Sequence, residues 1–105
     1  MVMPPCLLYV TAPSEEEARR IGEKLIEERL VACVNIFPIR SIYRWEGKTC
    51  REEEFALILK TNEEVVDRAI ARLKELHPYK VPCILKLPVA GGLEEFVRWI
   101  EESTA

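Results

Sequence analysis

With 105 residues, the chain is long enough to bury one hydrophobic core without metal or disulfide staples. Apolar residues make up 49% of it and charged residues 31%, a balance typical of globular proteins that excludes a disordered chain. The net charge of −3, with no run of Lys or Arg, excludes the basic surface on which nucleic-acid binding depends.

The sequence contains no membrane span, no signal peptide and no paired cysteine motif, and these absences guide the predictions of compartment and of metal or redox chemistry. No apolar stretch approaches the ~20 residues of a membrane span, and the N-terminus lacks the pattern of a signal peptide. We therefore expect a cytoplasmic protein with no membrane contact. The cysteines contain no C-x-x-C pair, so the sequence predicts neither a zinc knuckle nor a redox pair. The four are Cys6, Cys33, Cys50 and Cys83, and three of them sit in apolar strand patterns, which favour buried, reduced thiols.

The chain begins with a predicted strand followed by a predicted helix. Residues 6–11 form a short continuous apolar run, which is typical of a buried central strand. Ser14 followed by three glutamates predicts a helix start, because a capping hydroxyl and acidic residues both stabilise the first turn. The glutamates could also be read as a cation site, but a capped turn explains them fully. Apolar residues then recur at helical spacing: Ala18, Ile21, Gly22, Leu25 and Ile26.

Residues 31–61 predict two long strands joined by a tight turn at Glu46, Gly47 and Lys48. The first strand would extend roughly 50 Å at ~3.3 Å per residue, whereas a domain of this size is about 35 Å across. The hairpin must therefore bend at Pro38, project beyond its own domain, or both. Its second strand is apolar on both faces, and one small subunit covers only one of them. We therefore expect an oligomer.

The remaining elements complete the predicted fold. Asn62 repeats the helix-start chemistry, and the second helix stops at His77 because the following Pro78 cannot continue it. A fourth strand over residues 81–89 precedes a short C-terminal helix that carries Leu93, Phe96, Val97 and Ile100. The order predicts an α+β fold: a ferredoxin-like β-α-β-β-α-β sandwich with a long protruding β-hairpin and a short C-terminal helix. One sheet face stays bare, which is a second argument for association.

Enzyme signatures are scarce. A single histidine excludes a metal site of several imidazoles within one chain, and no nucleophile elbow or phosphate-binding loop is present. Cys33 and His77 could pair as nucleophile and base, but the apolar neighbours of Cys33 would stabilise its thiolate poorly. We therefore expect no enzymatic activity.

Three sets of polar and aromatic residues remain as candidates for binding. His77 and Tyr79 follow a helix, where they form either a cap or a cation site. Tyr43 and Trp45 share one face near the hairpin tip, as an interface or as a ligand pocket. Lys60 ends an apolar strand, where its ammonium either meets an anion or extends to solvent.

Several short runs are similar to a known family in order and spacing: Thr11-Ala12-Pro13, Ala32-Cys33-Val34-Asn35, residues 41–47, Lys60-Thr61, and His77-Pro78-Tyr79 with Val81-Pro82. They resemble the CutA divalent-cation-tolerance family from about Leu7 to Ile100. The resemblance implies a single CutA-like domain over residues 1–105. It also implies a ferredoxin-like subunit in a homotrimer whose long hairpins wrap around their neighbours.

The resemblance also implies a function: a metal-ion response protein that binds copper or another divalent cation weakly in clefts between subunits. Its metal candidates are His77 and Cys83, although Val10 and Leu76 stand where some members carry a cysteine and a histidine. The implied cleft residues are Cys33, Tyr43, Trp45, Glu54, Lys60, His77 and Tyr79. Two alternatives stay open: a sensor of a small anionic ligand, like the trimeric PII-type signalling proteins, and a purely structural assembly module.

Overall fold

The computed structural model describes residues 3–105. Strands β1 (Pro5–Ala12) and β2 (Cys33–Trp45) flank helix α1 (Glu15–Glu27). Strand β3 (Lys48–Asn62) leads into helix α2 (Val66–Leu76), which is followed by strand β4 (Ile84–Pro88) and helix α3 (Glu94–Ser103). The observed order is the predicted one.

The four strands form one antiparallel sheet in the order β2-β3-β1-β4. The long strands β2 and β3 pair without interruption from Cys33 opposite Lys60 to Trp45 opposite Lys48. Strand β1 occupies the centre, as its continuous apolar run predicts, and pairs with both β3 and β4. This arrangement confirms the ferredoxin-like α+β fold.

Two polar side chains organise the starts of the helical segments. Ser14 caps α1 as predicted, because its hydroxyl accepts a hydrogen bond from the Glu17 amide at 3.1 Å. Asn62 does not cap α2 directly. Its side-chain oxygen instead accepts the amides of Glu64 and Val65 at 2.8 and 3.2 Å, so it caps a turn that precedes the helix. Helix α2 consequently begins at Val66, three residues later than a cap at Asn62 predicts.

The hairpin extends well past the rest of the sheet. The last residue of β1, Ala12, pairs with Phe55, so residues 39–54 have no third strand beside them. We call this two-stranded extension the ribbon. The longest dimension of the subunit is 48 Å, which exceeds the ~35 Å expected of a compact domain of this size. The predicted projection of the hairpin is therefore confirmed.

The hydrophobic core lies between one face of the sheet and the helices. On that face the alternate residues of β1, namely Cys6, Leu8, Val10 and Ala12, are fully buried. They pack against the apolar stripe of α1 and against Val66, Ala69 and Leu73 of α2. The apolar stripe of α1 thus predicted the buried side of that helix correctly except at Ile26, which is 41% exposed.

Neither α1 nor α2 covers the opposite face of the sheet. We call it the helix-free face, and cross-strand pairing places on it Leu7, Tyr9, Thr11, Cys33, Asn35, Phe37, Ala56, Ile58, Lys60, Leu85 and Leu87. Leu85 is 59% exposed and Leu87 is 43% exposed in the subunit. The bare face predicted from the element count is therefore present.

The fourth strand is shorter than predicted. It begins at Ile84 instead of residue 81, because its pairing with β1 stops at Val10 although β1 continues to Ala12. The same register would place Pro82 opposite Ala12, and proline has no N–H to donate to a neighbouring strand. The preceding residues instead form a loop that passes the end of β1. That loop carries His77, Tyr79 and Cys83, three of the residues on which the functional predictions depend.

Candidate functional site

The His77 ring ties the loop to the end of β1. Its Nε2 lies 2.7 Å from the carbonyl oxygen of Thr11, and its Nδ1 accepts the backbone N–H of Tyr79 at 3.1 Å. Because a carbonyl only accepts, Nε2 carries the proton and the ring is the neutral Nε2–H tautomer. Both ring nitrogens are therefore already engaged in hydrogen bonds.

The Tyr79 hydroxyl continues this network to the base of the ribbon. It donates a hydrogen bond to Glu54 Oε2 at 3.1 Å, and the Glu54 residue is only 6% exposed. Burial, together with the hydrogen bond to Glu54, raises the pKa of Tyr79 above its usual range. The hydroxyl thus stays protonated as the donor that a buried carboxylate requires.

Cys83 lies at the far end of the same loop. Burial raises the pKa of its thiol, and a hydrogen bond with Thr11 partly opposes that rise. Thr11 therefore contacts both of the residues that were predicted as metal ligands. Sequence reasoning missed it as a site residue, although it belongs to the Thr11-Ala12-Pro13 run on which the resemblance depends.

A second cluster lies on the helix-free face, where the start of β2 pairs with the end of β3. The Nζ atom of Lys60 lies 3.3 Å from Cys33 Sγ and also donates a hydrogen bond to Asn35 Oδ1. No carboxylate among residues 3–105 forms an ion pair with this ammonium. Asn35 was not predicted as a site residue, but it too stands in one of the runs that carry the resemblance.

Tyr43 and Trp45 form a third group near the tip of the ribbon. A hydrogen bond with Glu52 is the largest of the effects that raise the pKa of Tyr43 to about 12. Trp45 lies opposite Lys48 at the turn and is 52% exposed. Both side chains project from the strand face that continues the helix-free face.

These three groups do not meet within one subunit. Six residues of β3 separate Glu54 from Lys60, a distance of roughly 20 Å at ~3.3 Å per residue. Trp45 lies about twice as far from Lys60 by the same measure. The structure thus joins Glu54, His77, Tyr79 and Cys83 around Thr11, and joins Cys33 to Lys60. A single cleft containing all of them needs more than one subunit.

A preformed metal centre is absent from the part of the chain that the structure describes. No three His, Cys, Asp or Glu side chains in residues 3–105 are grouped closely enough to hold an ion. A metal ion requires a free lone pair on imidazole nitrogen, and both nitrogens of His77 are occupied. The residues of one subunit therefore do not fit a resident copper ion.

A separate groove of about 640 Å³ lies on the helix side of the sheet, between α1 and β2. Its apolar floor includes Ile26, Val34, Ile36 and Phe55, and glutamates of α1 stand at its rim. None of the predicted site residues lines it. The groove is thus distinct from the network around Thr11.

The chain matches the family described as CutA1 divalent ion tolerance protein over residues 6–103. It is 49% identical over 96 residues to the divalent-cation tolerance protein CutA of Archaeoglobus fulgidus, covering 91% of this chain and 94% of that one. It is 41% identical over 103 residues to the chloroplastic protein CutA 1 of Oryza sativa subsp. japonica, covering 97% of this chain and 58% of the rice protein.

The fold also matches that of a solved structure closely. The structure described as the periplasmic divalent cation tolerance protein CutA from Archaeoglobus fulgidus superposes with a TM-score of 0.92 at 47% identity. The alignment covers 94% of this chain and 97% of the other.

These comparisons correct one prediction. The expectation of a cytoplasmic protein is contradicted, because the Archaeoglobus protein is described as periplasmic and the rice protein as chloroplastic. Targeting segments lie outside the folded domain, so the properties of the domain do not determine its compartment. In residues 3–105, no helix is long and apolar enough to cross a membrane.

The name of the matched family refers to ion tolerance and not to a reaction. The match spans nearly the whole chain, and the ferredoxin-like sheet, long ribbon and loop around His77 lie within it. The chain belongs to the CutA1 family of divalent-cation tolerance proteins.

Proposed function

We propose that this protein is a non-enzymatic homotrimer of the divalent-cation response whose ligand clefts form between subunits. The observation that carries the proposal is the helix-free face. It is a largely apolar sheet surface on which Leu85 and Leu87 are exposed in the subunit. Monomeric proteins rarely leave such a contiguous apolar patch in water.

The edges of the sheet support the same proposal. Strands β2 and β4 lie at the two edges, and each presents a row of unpaired backbone donors and acceptors. The β2 edge continues along the ribbon, beyond the reach of its own subunit. Pairing of the ribbon with the β4 edge of a neighbour satisfies both rows at once. In a closed ring of three such contacts, the β4 edge of every subunit is covered by a neighbouring ribbon.

A charge placed on the helix-free face tests this assembly. We expect Leu85→Lys to dissociate the trimer, because it puts an ammonium where an apolar contact is required. The control is Val81→Lys, since Val81 is equally apolar and 68% exposed but lies in the loop outside the sheet. Analytical ultracentrifugation of the parent and both variants reads the result. Dissociation of neither variant, or of both equally, contradicts the use of this face.

We propose that the clefts bind copper or another divalent cation only weakly. To ligate a cation, His77 must release either the Tyr79 amide or the Thr11 carbonyl. Each lost hydrogen bond costs about 1 kcal/mol, and more when it leaves a buried group without a partner. The raised pKa of the Cys83 thiol also weakens metal binding, because the thiolate is the form that binds metal.

Calorimetric titration of the trimer with Cu(II), Cu(I) and Zn(II) tests this part of the proposal. We expect dissociation constants of about 10 μM or weaker, corresponding to roughly 7 kcal/mol or less. His77→Ala should weaken binding further, whereas Tyr43→Phe on the ribbon should not. Submicromolar affinity, or affinity unchanged by His77→Ala, contradicts a weak site at His77.

A second candidate function rests on Lys60. Its ammonium lies on the helix-free face with a thiol and an amide oxygen as partners and without a carboxylate. Enclosed between subunits, such a charge favours an anion, as a PII-like sensor of a small anionic metabolite requires. A thermal shift with an anionic metabolite that disappears in Lys60→Ala but persists in Lys48→Ala would establish this function. Stabilisation by metal ions alone would contradict it.

A further inference from the structure

Helix α3 carries an exposed aromatic stripe that its own subunit leaves uncovered. Phe96 and Trp99 are each 42% exposed, and their rings stack against one another at 5.4 Å between centroids. Glu95 and Glu102 lie four residues before and three residues after Trp99, so they flank the aromatic rings on the same side of the helix. Neither glutamate forms an ion pair with a cation of residues 3–105.

One face of the ribbon carries the complementary pattern. Arg40, Ile42 and Arg44 alternate along β2, and Arg51 of β3 lies directly opposite Ile42. Ile42 is 72% exposed. None of these three arginines has an ion-pair partner in the part of the chain that the structure describes. Glu53 lies opposite Arg40 on the same face but forms no ion pair with it, so an apolar centre flanked by three unpaired arginines faces solvent.

The spacing of the two patterns agrees. Arg40 and Arg44 are four strand residues apart, or about 13 Å at ~3.3 Å per residue. Glu95 and Glu102 are seven helix residues apart, or about 10 Å at ~1.5 Å per residue. Long arginine side chains bridge this small difference. Arginine also stacks readily on tryptophan, which adds to the charge pairing.

The two surfaces cannot meet within one subunit. The C-terminal end of α3 is held near Arg29 and Asn62, because Arg29 donates to the Glu102 carbonyl and Asn62 donates to the Thr104 hydroxyl. Eleven residues of β3 separate Asn62 from Arg51, which is roughly 36 Å at ~3.3 Å per residue. The contact therefore requires a second copy of the chain.

We propose that the arginine face of the ribbon docks on the aromatic stripe of α3 of the neighbouring copy. The proposal rests on the trimer of the proposed function. A ribbon running along the β4 edge of its neighbour arrives beside α3, which follows β4 after five residues. Ile42 then packs on Phe96 and Trp99, while Arg40 and Arg44 pair with Glu95 and Glu102.

Disulfide trapping tests the contact directly. In the double variant Ile42→Cys, Trp99→Cys, mild oxidation should link neighbouring copies into covalent dimers and trimers on a non-reducing denaturing gel. Each single variant should stay unlinked, which controls for the four native cysteines. A disulfide needs the two Cα atoms within about 7 Å, so a link shows that positions 42 and 99 of neighbouring copies lie close together. A solution trimer that gives no link in the double variant overturns the docking but not the trimer. A monomeric mass overturns both.

Charge exchange provides an independent test. Reversing both arginines, Arg40→Glu with Arg44→Glu, should raise the concentration at which the trimer half-dissociates by about tenfold or more. Adding Glu95→Arg with Glu102→Arg should restore the parent value, because the pairing is then exchanged. Arg19→Glu, on an exposed face of α1, should have little effect. Failure of the second pair to rescue the first overturns the assigned partners.

Discussion

Tyr79 donates a hydrogen bond from its hydroxyl to Glu54 at 3.1 Å, joining the loop after α2 to the base of the ribbon. Glu54 is the first ribbon residue beyond the three-stranded part of the sheet, and it is buried. Through His77, the same loop is bonded to Thr11 at the end of β1. The direction in which the ribbon leaves the sheet is thus set by side chains distant in sequence.

Removing this hydroxyl should destabilise the subunit measurably. We expect Tyr79→Phe to lower the free energy of unfolding by about 1–3 kcal/mol, because it leaves a buried carboxylate oxygen without its donor. Chemical denaturation at fixed protein concentration measures the change. Tyr43→Phe, which removes a hydroxyl from an exposed ribbon residue, should stay within about 0.5 kcal/mol. Equal effects of the two substitutions would contradict a special role for the Tyr79 bond.

The raised tyrosine pKa values predict a loss of stability in alkali. The pKa of Tyr79 lies above the value of about 10 that tyrosine has in an unfolded chain, so the native state keeps its proton longer. This stabilisation is therefore complete below about pH 10 and is lost as the pH rises toward the folded pKa. Urea midpoints measured between pH 8 and pH 12 should fall less steeply for Tyr79→Phe than for the parent. Parallel curves would contradict the assignment.

Local patterns predicted the fold because local and tertiary preferences agree in most of this chain. Ser14 caps α1 where the acidic triplet follows it, and the apolar run of residues 6–11 does form the buried central strand. The length of the hairpin predicted that it bends, leaves the domain, or both, and the 48 Å dimension confirms that it leaves the domain. These signals were enough to predict the fold because each of them is carried by residues that are close together in the sequence.

The network at the site depends on distant residues, which is why only part of it could be predicted. His77 and Tyr79 stood out as polar residues at a helix end, but nothing local indicates that the carbonyl of Thr11, 66 residues away, accepts a hydrogen bond from His77. The start of β4 at Ile84 likewise depends on its pairing with Val10 of β1, which the sequence of residues 81–83 does not reveal. Motif runs shared with the family pointed to Thr11 and Asn35 without indicating their contacts.

Asn62 illustrates a side chain with more roles than its pattern predicts. It is buried, accepts two amides of the turn before α2, and donates to the hydroxyl of Thr104 at 2.8 Å. We expect Asn62→Ala to cost about 2–4 kcal/mol of unfolding free energy, since several buried groups lose partners at once. Glu16→Ala, at an exposed position of α1, is the control and should cost much less. Denaturation of both variants measures the difference.

The central claim is that this chain works as a homotrimer whose helix-free face is covered by its neighbours. Multi-angle light scattering of the purified protein at neutral pH tests it most directly. We predict one species with a mass three times the 12.1 kDa of the chain, unchanged on tenfold dilution. A mass near 12.1 kDa, with the helix-free face open to solvent, would contradict the account.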